Sequence, residues 1–70
     1  MEHIFSFTTA GDITYDVVFK EEAYHFTPSG DGPAFALRRE HDEWRTDDHI
    51  DKAVKNEAIT ALDNYLLQQN

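Results

Sequence analysis

The sequence contains no cysteine, which removes both a disulfide framework and a thiolate zinc site as ways of holding a small fold together. It has six lysines and arginines against fourteen aspartates and glutamates, for a formal charge of −8 at pH 7. Nucleic acids and anionic membrane surfaces are bound through clusters of cations that release counterions, so neither is an expected partner. Lys52 and Lys55 form a close basic pair on a helical stretch, and Arg38 and Arg39 point to opposite faces if they lie on a strand. No apolar run approaches the length of a membrane span. Met1, Glu2 and His3 lead into a strand pattern without a basic targeting region, so a cytoplasmic protein is the expectation. Proline and glycine are scarce as well. Both prolines and two of the three glycines fall between Pro28 and Pro33, which marks one emphatic loop.

What the chain does have is aromatic mass. Five Phe, three Tyr and one Trp in 70 residues supply a core that a chain of this size otherwise struggles to build. A folded single domain over residues 1–70 is expected rather than an acidic disordered tail.

The rings fall on alternating patterns. Phe5 and Phe7 share a face in a strand over about 3–9. Ile13, Tyr15, Val17 and Phe19 alternate with polar partners over 13–20, as in a half-buried antiparallel strand. Tyr24 and Phe26 mark a third strand over 23–27, and Phe35 and Leu37 a fourth over 34–40. Trp44 and Arg45 form a short fifth strand or the lead-in to a helix. Ala10-Gly11-Asp12 reads as a turn with Gly11 free to take a positive φ, and His41-Asp42-Glu43 as a tight turn. Glu21-Glu22 is a short connection without the Gly, Asn or Asp that hairpin turns favour.

From Asp48 to Gln68 the period changes. At 100° per residue, Ile50, Ala61, Val54, Tyr65, Ala58, Leu62, Leu66 and Ile59 occupy one half of a helical wheel. Thr46, Asp47 and Asp48 are all good N-cap types, and the acids Asp47, Asp48 and Asp51 suit the positive end of the helix dipole. Asp48 with Lys52 and Asp51 with Lys55 have the spacing of acid-first ion pairs. The expected architecture is α+β: an antiparallel β-meander of four or five strands with one C-terminal α-helix packed across its aromatic face. Burying Ile50, Val54, Leu62, Tyr65 and Leu66 contributes on the order of 10 kcal/mol, so sheet and helix are expected to depend on each other.

Three groups of residues are candidates for function. His41, Asp47, Asp48 and His49 combine imidazole and carboxylate, the donor set for zinc or a similar ion, although their spacing matches no ligand motif such as His-Glu-x-x-His. Helix capping and turn formation account for the same residues. His25 and Asp16 share the solvent face of neighbouring strands, where an ordinary ion pair explains them as well as an acid–base dyad does. The third group is apolar. Ile59 and Leu66 widen the helix's arc toward ~180°, beyond the ~100° that one sheet face needs, and Leu67 lies off the arc altogether. Ile59, Leu66 and Leu67 are therefore expected to present a contact surface to another protein or a second copy. A strongly curled sheet would hide the same flank. No catalytic motif and no cofactor signature is present, and the expected role is non-enzymatic, through protein contacts, with metal or ligand binding at the helix start as the alternative.

Overall fold

A computed structural model describes residues 4–68. It has an antiparallel sheet of five strands in sequential order, β1 Phe5–Thr8, β2 Thr14–Lys20, β3 Ala23–Pro28, β4 Phe35–Glu40 and β5 Glu43–Arg45, followed by helix α1 Lys52–Gln68. His3, placed in the first strand by the sequence pattern, lies outside the described residues.

Each connection can be traced to local chemistry. Between β1 and β2, Thr9 N–H donates to Ile13 O (2.9 Å) and Asp12 N–H to Thr9 O (3.0 Å). That closes a three-residue loop whose last residue, Asp12, takes φ 64°. The left-handed position falls on Asp12 and not on Gly11, because the Thr9–Ile13 pairing sets the loop one residue later than composition suggests. Thr9 is 5% exposed, and its hydroxyl accepts from Gly11 N–H and Ile13 N–H, both at 3.2 Å. The β2–β3 and β4–β5 connections are two-residue turns with Lys20 opposite Ala23 and Glu40 opposite Glu43. Glu21, Glu22, His41 and Asp42 hold φ of 54°, 62°, 51° and 67°. Such turns match strand twist, but the left-handed region is unfavourable for residues with a Cβ.

Alternation puts the rings on one face. Tyr15, Val17, Phe26, Phe35 and Leu37 are buried there with Ala58 and Leu62 of the helix. Phe26 stacks on Phe35 at 4.7 Å, and Tyr15 meets Phe35 edge-on at 5.3 Å. The Tyr15 hydroxyl donates to Pro33 O (3.0 Å), tying the long loop to β2, and burial pushes its phenol above the ordinary value.

The helix lies along β1 and antiparallel to it. Glu57 Oε1 accepts from Ala10 N–H at 2.7 Å, and Tyr65 stacks on Phe5 at 4.8 Å. On its other flank Asp63 Oδ1 accepts from Trp44 Nε1–H of β5 (3.3 Å). Positions 63 and 65 stand about 200° apart on a helical wheel. Strands at opposite edges of the sheet therefore reach opposite flanks of one helix, and the sheet curls around it. This curl is why the wide apolar arc is used: Ile59 is half-buried and packs against the core.

The helix starts later than its acidic run suggests. Asp51 is the cap, its Oδ1 accepting from Ala53 N–H (2.9 Å) while its carbonyl accepts from Lys55 N–H (2.9 Å). Asp47 and Asp48 are drawn to the sheet instead. Asp47 binds Arg38, and Asp48 Oδ2 accepts from Ala36 N–H (3.0 Å), satisfying a donor on β4 where β5 does not reach. Asp48 and Ile50 thus precede the helix. Among the described residues neither the Asp48–Lys52 nor the Asp51–Lys55 salt bridge forms.

Candidate functional site

Phe19 continues the inward parity of Tyr15 and Val17, yet the residue is 51% exposed and not roofed as expected. The reason is length. β2 has seven residues, and Phe19 lies two residues beyond Val17, whose β1 partner Phe5 stacks on Tyr65 near the end of the helix. Phe19 packs on its cross-strand partner Tyr24 (centroids 4.7 Å apart), and Tyr24 meets Trp44 edge-on at 5.7 Å. The Arg39 guanidinium lies over the indole at 5.1 Å. Arg39, Asp63, Leu66 and Leu67 then bound a shallow cleft of about 340 Å³. Leu66 is half-buried and Leu67 is 70% exposed. One continuous strip thus runs from Phe19 across Tyr24, Trp44 and Arg39 to the end of the helix.

The strip sits at one end of the molecule. β2 and β4 run toward that end, so the Glu21-Glu22 and His41-Asp42 turns both lie there, as does the C-terminal turn of α1, which runs antiparallel to β1. All four turn residues are exposed. Rings at the centre are bordered by carboxylates.

Of the expected contact residues, Leu66 and Leu67 belong to this strip, whereas Ile59 packs toward the core. Phe19, Tyr24, Trp44 and Arg39 were not assigned to a surface by their pattern. A signal was present in Arg39, which shares parity with Phe35 and Leu37. A cation on the inward face marks where the roof stops.

The four candidate metal ligands are dispersed. His41 occupies the β4–β5 turn, while Asp47 and Asp48 follow β5 at its other end, ~10 Å of strand away. Asp47 and Asp48 are engaged by Arg38 and Ala36, and His49 is exposed in the connector. Among the described residues no three His, Cys, Asp or Glu side chains converge to hold a metal ion. His25 and Asp16 do not face one another either: Asp16 pairs with Thr27 and His25 with Val18, and the His25 ring contacts Lys20 O at 3.1 Å.

The outer face of β4 and β5 carries a charge network. Arg38 binds Glu40 and also Asp47, at 2.9 Å, and Arg45 adds contacts to Glu40 (3.8 Å) and Glu43 (3.5 Å). Hydrogen bonding and charge from Arg38 hold the Glu40 and Asp47 carboxyls below the usual carboxylate range, and those acids raise the guanidinium in turn. Every member is substantially solvent-exposed, so screening keeps the network's contribution small.

Among the described residues no helix is long and apolar enough to cross a membrane. No protein-family model, curated protein or solved structure matches the chain.

Proposed function

We propose that the chain is a non-enzymatic cytoplasmic domain that acts by docking another protein on the strip from Phe19 to Leu67. The observation that carries this reading is the continuity of that strip. Among the described residues two large hydrophobic side chains remain exposed, Phe19 and Leu67; ring contacts lead from Phe19 through Tyr24 and Trp44 to Arg39, which bounds one shallow cleft with Leu67. Aromatic residues and arginine at the centre of a patch are the types that dominate binding energy at protein interfaces.

The test compares affinity capture by the wild-type chain and by a Phe19→Ser/Leu67→Ser variant whose melting temperature is unchanged. A specific protein held by the first and lost by the second supports the reading. Equal retention by both overturns it, because a partner seated elsewhere would not sense these two side chains.

A further inference from the structure

The border of the strip says what its occupant is made of. Glu21 and Glu22 in one turn, Asp42 in the other and Asp63 on the helix border the rings, against Arg39, which is already over Trp44, and Lys20, which by strand alternation leaves the opposite face of β2. The whole chain carries −8, so the field beyond the rim has the same sign as the rim itself. A second copy would set one acidic border against another across a two-fold axis, a like-charge juxtaposition that opposes pairing.

Resting on the docking surface described above, we infer that its partner is a basic amphipathic segment of another protein. Its apolar side chains seat on Phe19, Tyr24, Trp44 and Leu67, and its flanking lysines or arginines meet Glu21, Glu22, Asp42 and Asp63. The rings supply contact area while the rim sets sign and orientation. Discrimination comes from the same rim, since an acidic segment with identical apolar spacing meets repulsion at both turns.

Trp44 is the sole tryptophan of the chain and lies in the strip, so its emission reports occupancy directly. A short synthetic amphipathic peptide of Leu and Lys is titrated at ~0.15 M salt, where charges more than about 8 Å from the peptide are largely screened. Its Leu/Glu counterpart is titrated in parallel. The Leu/Lys peptide is expected to shift the Trp44 emission and to bind at least roughly tenfold tighter than the Leu/Glu peptide. A Glu21→Lys/Glu22→Lys variant should weaken it by about tenfold. An Asp16→Lys/Asp31→Lys variant, with the same change in net charge on the outer face and at the far end, should change binding less than about twofold.

The failures are distinguishable. If the rim variant and the wild type bind equally, the partner is not selected by charge, and the basic assignment falls while the surface stands. If Phe19→Ser/Leu67→Ser leaves peptide binding intact, the surface itself is misplaced. A concentration-dependent dimer in sedimentation that Leu67→Asp abolishes makes the occupant a second copy and overturns the inference. Absence of any Trp44 response to either peptide overturns it as well.

Discussion

Among the described residues five non-glycine positions hold the left-handed conformation, and four of them form the two tight turns beside the aromatic strip. Each such residue is disfavoured by roughly 1–2 kcal/mol relative to a right-handed conformation, and an Asn-Gly pair relieves part of that cost, offset by the greater backbone entropy glycine loses on folding. Replacing Glu21-Glu22 by Asn-Gly should therefore stabilise the fold by about 1 kcal/mol, seen as a rise of ~4–8 °C in melting temperature. It also removes two rim carboxylates, so the same variant should bind the Leu/Lys peptide more weakly. A more stable variant with undiminished binding would separate turn chemistry from the rim. The Glu-Glu turn shows where composition misleads: it lacks every favoured turn residue, yet the flanking alternation of Phe19 and Tyr24 still imposes a two-residue connection. Thr9 was not legible for a different reason. It reads as one more alternating polar residue, and its role as the buried acceptor that organises Ala10 to Ile13 depends on side-chain–backbone bonds within the loop.

The helix was legible as a period and blurred as a boundary. Ala58 and Leu62 are buried and Val54 and Tyr65 half-buried, as the wheel requires. Thr46, Asp47 and Asp48 read as caps and Asp51 as an acid within the first turn, however, and sequence does not say which of them a sheet will claim. Arg38 and the Ala36 amide claim two of them, leaving Asp51 to cap. Asp51→Ala should cost about 1 kcal/mol in urea unfolding. Asp47→Ala should cost less, because its ion pair is exposed. The opposite ranking would return the helix start to Asp47. The candidate site was half visible at this scale: Leu67 stands out on the wheel, but Phe19 at the other end of the strip becomes evident only once the residue is seen to be exposed.

Across the molecule, charge and topology set the response to pH and the order of assembly. Glu40 and Asp47 titrate below their ordinary range in the folded state, so their pairing with Arg38 is fully present above about pH 4–5 and is lost as pH falls through the lowered folded values. Arg38→Gln should accordingly make stability less dependent on pH between about 5 and 2 than in the wild type. Parallel urea melts check this, and identical slopes would dismiss the network as a contributor. Sheet pairing follows chain order without exception among the described strands, so every strand meets its partner through a connection that runs from two residues in the tight turns to residues 29–34 in the loop before β4. The helix, the last element in the chain, reaches back to the first strand, from Glu57 to Ala10 and from Tyr65 to Phe5. Synthesis on the ribosome consequently finishes the meander well before its clasp is available. For that interval the nascent ribbon displays all its rings at once, a stage at which a chaperone, or premature aggregation, would compete with the chain's own seventeen-residue helix for the same face.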